Sequence, residues 1–266
     1  MPSLASPPSA DAEFMQFAAY FLLELFLTIR PEFFPFFWSA IYCERAVGDC
    51  RIVRYRCQQA GQWTVPQNLD PQIAKALLCF TMCDDAPVVL ALILNDLFGH
   101  ETIAVVTLRV IPNLWLLRHG ELVSPRLGDI TRSHTIVRVG QMVLDLTGSQ
   151  FLHTKPWGPL ADYLQAYTQD PDHPYLFQQM SLDEKWQNMP KNVGRDYLNA
   201  IVTLLRERLF ATYKAWLEKE GLSMKQVLSK AHKRKELIEA LRLCAKTAAV
   251  ECKEEWKKKY PECNFG

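Results

Sequence analysis

No two cysteines in the chain stand in C-x-x-C spacing, no phosphate-binding loop or G-x-G-x-x-G stretch occurs, and no segment repeats. The first absence leaves a zinc knuckle or ribbon without its ligand pairs. The second removes the P-loop and dinucleotide fingerprints, and the third removes solenoids and propellers. Charge of one sign is scarce too: 30 Lys and Arg against 29 Asp and Glu leave a net of +1, so nothing draws the whole molecule to nucleic acid. No basic segment precedes the first apolar stretch, Phe14–Ile29, which speaks against a secretory leader. That stretch is shorter than the ~20 residues that span a bilayer, and it carries Glu24. It predicts a buried amphipathic helix ended by Pro31, no membrane span, and a cytoplasmic, reducing location in which the cysteines stay free thiols.

What is present is an ordinary globular composition, 49% hydrophobic and 22% charged over 266 residues, enough for one large domain or two small ones. Residues 1–12, with Pro2, Pro7 and Pro8, predict a disordered lead-in. The aromatic run Phe33–Trp38 predicts the start of another helix, whose rings fill core or line an acyl pocket. Glu101–Ile111 is rich in β-branched residues and predicts a strand, as does Leu114–Leu117. In the last third, Leu198, Ile201, Val202, Leu205, Leu209 and Tyr213 recur at helical spacing, and Gly221 ends that helix. Ser181-Leu182-Asp183-Glu184 and Ser223-Met224-Lys225-Gln226 read as capping boxes, the second opening a last helix closed by Pro261. From Lys191 onward 17 Lys and Arg face 10 Asp and Glu, but the cluster Lys230, Lys233, Arg234 and Lys235 has no interleaved aromatics and reads as a solvated helix face. The organisation is a lead-in over 1–12, a core over 13–180 with N-terminal helices, and a helical region over 181–266 packed on it, an α+β fold around an antiparallel sheet.

The chemistry concentrates in His134–Thr147. This segment reads as two strands joined at Gly140-Gln141, where Gly suits a type II′ turn. If Val139 faces Met142, then Ile136 faces Asp145 and His134 faces Thr147, and these four share one sheet face. His134 and Asp145 become diagonal neighbours, roughly 7–8 Å apart at the backbone and within side-chain reach. Val137, Val139, Met142, Leu144 and Leu146 form the opposite, core face. A carboxylate placed to orient an imidazole supplies two members of a nucleophilic triad.

Of the eight cysteines, Cys83 has the most suggestive setting. Asp84-Asp85-Ala86-Pro87 follows it as an N-cap and first turn, and Val88–Phe98 is apolar nearly all round and stopped by Gly99, so a buried central helix is expected. A thiol at such a helix start meets unpaired N–H groups and the positive dipole end, which favour thiolate, while Asp84 and Asp85 oppose it unless they point away. Cys50 is the rival, with His119 as its base, but the alternating segment Arg51–Cys57 reads as a half-exposed strand. Cys79 and the remaining cysteines fit use as small apolar residues. His100 follows the helix-ending Gly99, where a cation suits the dipole, and His153, His173 and His232 read as loop or surface residues.

The order Cys83, buried helix, His134, Asp145 resembles the papain-like superfamily in its transglutaminase and arylamine N-acetyltransferase branch. Ser133–Phe151, with Val143-Leu144-Asp145-Leu146-Thr147-Gly148-Ser149-Gln150-Phe151, is similar to a His-led strand followed by an (I/V)-D-(L/P)-T-x-x-Q-(F/Y) segment in bacterial and fungal members, and Lys155-Pro156-Trp157 and Tyr163 are similar to uncharacterised fungal ones. The resemblance covers about residues 70–165. Members usually carry Gly, and often an aromatic, beside the nucleophile, where this chain has Thr81-Met82 and Asp84-Asp85. It implies a papain-like core and a Cys-His-Asp hydrolase or acyltransferase acting on an amide, ester or thioester of a small-molecule or peptide acyl substrate, with no metal and no organic cofactor. An oxyanion donor beside the Cys83 N–H is then expected, and Gln67, Asn68 and Trp63 lie upstream as candidates. The alternative is a catalytically inactive papain-like binding module. Neither the substrate nor the oligomeric state is written in the sequence.

Overall fold

The computed structural model describes residues 10–33, 37–47, 50–58, 69–118, 131–168, 178–189 and 193–260. The chain opens with helix α1 (Ala10–Phe33), which runs through Pro31 instead of ending there and takes in Ala10, Asp11 and Ala12 from the expected lead-in. Strand β1 (Phe37–Val47) follows, so the described end of the aromatic run is extended and not helical. Strand β2 (Cys50–Gln58) pairs with it antiparallel. Two helices replace the single one expected after Cys83. Helix α2 (Pro71–Cys79) leads to α3 (Asp85–Val89) and, after a break at Leu90, to α4 (Ala91–Phe98), which Gly99 stops at φ +83°.

Strands β3 (Ile103–Val110), β4 (Leu114–Arg118), β5 (Arg132–Val139) and β6 (Met142–Leu144) come next, then β7 (Trp157–Pro159), α5 (Leu160–Tyr167) and β8 (Gln178–Met180). The order β7-β6-β5-β3-β8 forms an antiparallel five-stranded sheet, and β1-β2-β4 forms a smaller one in which β2 and β4 run parallel. Helices α6 (Leu182–Gln187), α7 (Val193–Glu220), α8 (Met224–Leu228) and α9 (Ala231–Lys259) complete the chain. Both capping boxes are formed, at Ser181 and Ser223, and Gly221 ends α7 at φ +62°. The last helix is two, because the chain turns at Ser229 before α9 begins.

Alternation divides the five-stranded sheet between two cores. Val105, Val137, Val139 and Leu144 face α1, α3, α4, α7, α8 and α9 in one continuous cluster. Val106, Leu108, Ile136 and Val143 face α5 and Phe151. The β5–β6 hairpin has the expected register, Val139 opposite Met142 and Val137 opposite Leu144. Gly140 alone of the two loop residues takes positive φ, +60°, as a type II′ turn requires. Helix α1 is, between Asp11 and Phe33, long and apolar enough by length and composition to cross a membrane. In this fold its Phe21, Leu22, Leu25, Phe26 and Ile29 lie fully buried in the large cluster, while Phe17 and Tyr20 are exposed.

Candidate functional site

The β5–β6 ladder stops at Leu144, and this places the site. The Asp145 N–H turns away from β5 and donates to the Pro156 carbonyl (2.7 Å). The expected pairing of His134 with Thr147 is therefore not formed as a ladder pair. Asp145 is instead free to swing onto the imidazole, and its Oδ1 lies 2.8 Å from His134 Nε2. Both side chains are fully buried.

The carboxylate is saturated with donors. Oδ1 also accepts from the Thr147 N–H (3.2 Å), and Oδ2 accepts from the Tyr163 hydroxyl (2.6 Å) and faces His153 Nδ1 at 3.6 Å. Gly148 makes this possible: a Cβ there would stand 2.3 Å from Asp145 Oδ2. The turn Gly148–Phe151 then folds back so that Gln150 Nε2 reaches within 3.4 Å of His134 Nδ1, and Phe151 packs edge-on to the imidazole. His153 lies in a loop, as expected, but not at the surface. It is buried, stacks on Tyr167 with ring centroids 3.8 Å apart, and lies 3.2 Å from the Tyr163 hydroxyl. No periodicity signalled it, because the compact turn after Asp145, not strand alternation, returns the chain to the acid.

Cys83 is half-buried and stands near enough to the His134 ring to act on its charge. Because Nε2 is engaged by Asp145, Nδ1 is the nitrogen left on the far edge of the ring, where Gln150 Nε2 lies 3.4 Å away. In the Ser-His-Asp arrangement the acid faces Nδ1 and Nε2 is the free nitrogen, so the two are exchanged here. The two neighbouring acids are both occupied elsewhere. Asp84 accepts from Thr135 (2.7 Å) and from Lys185, and Thr135 in turn meets Thr107 (3.2 Å). Asp84 makes no side-chain cap to α3. Asp85 is fully buried and acts electrostatically on Arg30, itself buried on α1. Thr81 takes φ +63°, a left-handed conformation that costs a β-branched residue ~1–3 kcal/mol. The chain thus turns toward Cys83 where many sequences would place glycine.

Burial opposes charge on the His134 ring, but the Asp145 carboxylate, assisted by Cys83, overrides it and pushes the ring up to about 10. Burial alone would raise Asp145 as well, yet His134 and then His153 hold it far below the ordinary carboxylate range. The pair is imidazolium and carboxylate at neutral pH. Burial shifts His153 down, so it stands beside Asp145 as a neutral ring. Burial and the adjacent carboxylate keep the Tyr163 hydroxyl protonated and donating. Cys79, in contrast, is an inert core thiol pushed up to about 12 by burial, with its sulfur on the Leu146 carbonyl.

His134, Asp145 and His153 also bring ligand-capable atoms within 4.8 Å of one another. These atoms are already joined by hydrogen bonds among themselves and to Tyr163 and Thr147, which accounts for their positions without an ion. A cavity of about 290 Å³ opens at Cys83, lined by Thr81, Trp115, Arg132, Ser133, Gln150 and Phe151 among others. A second, of about 380 Å³, reaches Asp145 and His153 from the opposite side, past Lys75, Gly148 and Ser149. Gln67, Asn68 and Trp63 lie outside the described residues, as does His119, so the alternative Cys50–His119 pair has no described geometry. No family model, no curated protein and no solved structure matches this chain.

Proposed function

We propose that the protein is a cysteine-nucleophile hydrolase or acyltransferase with a papain-like site, in which Cys83 attacks, His134 moves the proton and Asp145 fixes the ring. The observation that carries this reading is the bond of 2.8 Å between buried His134 and Asp145, with Cys83 near the imidazole and lining a cavity. A purely structural His–Asp pair has no need of a half-exposed thiol or of an empty volume beside it. In the first step the Cys83 sulfur bonds to the acyl carbon of an ester, thioester or amide. The bond to the leaving group breaks, and the His134 proton goes to that group. In the second step water or an amine attacks the thioester, its proton passes to His134, and the thiolate departs. Gln150, which lines the cavity with Cys83, joins Gln67, Asn68 and Trp63 as a candidate side-chain donor for the oxyanion.

The test uses p-nitrophenyl acetate as acyl donor. Stoichiometric release of nitrophenol, with an acetyl group located on Cys83 by mass spectrometry, is the expected result, and Cys83→Ala removes both while the fold is kept. An unmodified Cys83 in folded protein rejects the enzyme and leaves the inactive binding module. The pH profile follows from the site. His134 must carry a proton to give to the leaving group, and it is protonated below about 10, so acylation holds through neutral pH and falls as pH rises past that value. A basic limb near the ordinary histidine range, ~6.5, contradicts the imidazolium assignment.

A further inference from the structure

The acyl-enzyme reading leaves part of the Cys83 cavity unused. Arg132 and His134 are two apart on β5, so their side chains share one face of the strand. The Arg132 guanidinium lies over the Trp115 ring, 4.3 Å from its centroid, and both residues line the cavity that holds Cys83. Trp115 belongs to β4 in the smaller sheet, so the cavity is walled by both sheets. One feature of this wall calls for a ligand. Arg132 forms no ion pair among the described residues, and no Asp or Glu lines the cavity. Stacking on the indole fixes the plane of the guanidinium without using its N–H groups, which are left to bind two oxygens at once. Of the other lining residues Phe80, Leu114, Leu116 and Phe151 are apolar, and Thr81, Ser133 and Gln150 are polar. A volume of about 290 Å³ holds about ten waters at ~30 Å³ each, room for a short acyl chain.

We propose that this cavity is a carboxylate subsite: the substrate is an acyl donor bearing a free carboxylate, which Arg132 holds against the Trp115 ring while its reactive carbonyl lies at Cys83. The subsite deepens the acyl-enzyme reading and rests on it for the role of Cys83 alone. The carboxylate supplies the counter-charge that Arg132 lacks. The apolar part of the wall takes the chain between the two groups and removes water, which strengthens the charge-assisted contact. Neutral acyl donors react at the same sulfur but leave the guanidinium unanswered.

Indole N–H resonances of the full-length chain are recorded while butyrate, and separately butyramide, is added; Trp115→Phe identifies the Trp115 signal. Butyrate is expected to shift that signal in a saturable way and butyramide to leave it in place. Arg132→Gln weakens butyrate binding about tenfold, the scale of one lost charge-assisted contact. Arg132 is exposed, so the substitution does not threaten the fold. A Trp115 signal that ignores butyrate, or that shifts equally in Arg132→Gln, overturns the subsite. The outcome is separable from that of nitrophenyl acetate. Acetylation of Cys83 without a butyrate response keeps the enzyme and removes the subsite, and a butyrate response with an unreactive Cys83 does the opposite. Alkylation joins the two: the rate of iodoacetate relative to iodoacetamide at Cys83 falls in Arg132→Gln, and an unchanged ratio places the anion away from the sulfur.

Discussion

Asp145 is held from several directions at once, and Gly148 is why it can be. The carboxylate takes hydrogen bonds from His134, Thr147 and Tyr163 and is closed from above by a residue without a side chain. A methyl group at position 148 would fall 2.7 Å from the Asp145 carboxyl carbon and 3.1 Å from the His153 Cβ. Neither neighbour is the far end of a flexible chain, so the acid or the turn must move. Gly148→Ala is therefore expected to cost ~1–3 kcal/mol in urea unfolding and to slow acylation of Cys83; parental values for both would show that the carboxylate has room to spare. His134 and Asp145 were legible in sequence because strand alternation and one glycine turn determine their relation locally. His153 and Arg132 were not. The first is delivered by a compact turn, and the second acquires meaning only when a strand from another sheet brings Trp115 beneath it.

Between elements, the segment bearing Cys83 is held by a polar chain. Thr107 on β3, Thr135 on β5, Asp84 and Lys185 on α6 connect the sheet, the Cys83 turn and a helix about a hundred residues downstream. The acids that sequence alone sets against a thiolate thus serve to anchor its loop. Thr135→Val keeps the shape and removes the hydroxyl, so a loss of ~1 kcal/mol is expected, with slower acylation as the loop loosens. Acylation at the parental rate would show that Lys185 alone suffices. The capping boxes at Ser181 and Ser223 and the β5–β6 register were readable because each depends on residues four or fewer apart or on one turn. The strand β1 was not readable: Phe37 and Trp38 suit helix and strand alike, and the pairing with β2 decides between them. The breaks at Leu90 and Ser229 were missed because apolar periodicity continues across both.

At the scale of the whole molecule, the main core has no seam at residue 180. Met180, Leu182, Leu198, Val202 and Leu209 share one cluster with Val105, Val137 and Leu144 of the sheet and with Phe21, Leu25 and Phe26 of α1. Unfolding followed by far-ultraviolet dichroism and by tryptophan emission is accordingly expected to give one coincident transition. Two separated transitions would mean that the helices after 180 fold as an independent unit. The same core ties α1 to α9, and Glu32 is bridged to Arg242. A ribosome makes α1 about two hundred residues before its cover α9, so the nascent chain carries an uncovered sticky segment over that whole interval. A chain halted before α9 leaves that segment bare, and such fragments should clump or recruit a chaperone where the finished protein does neither.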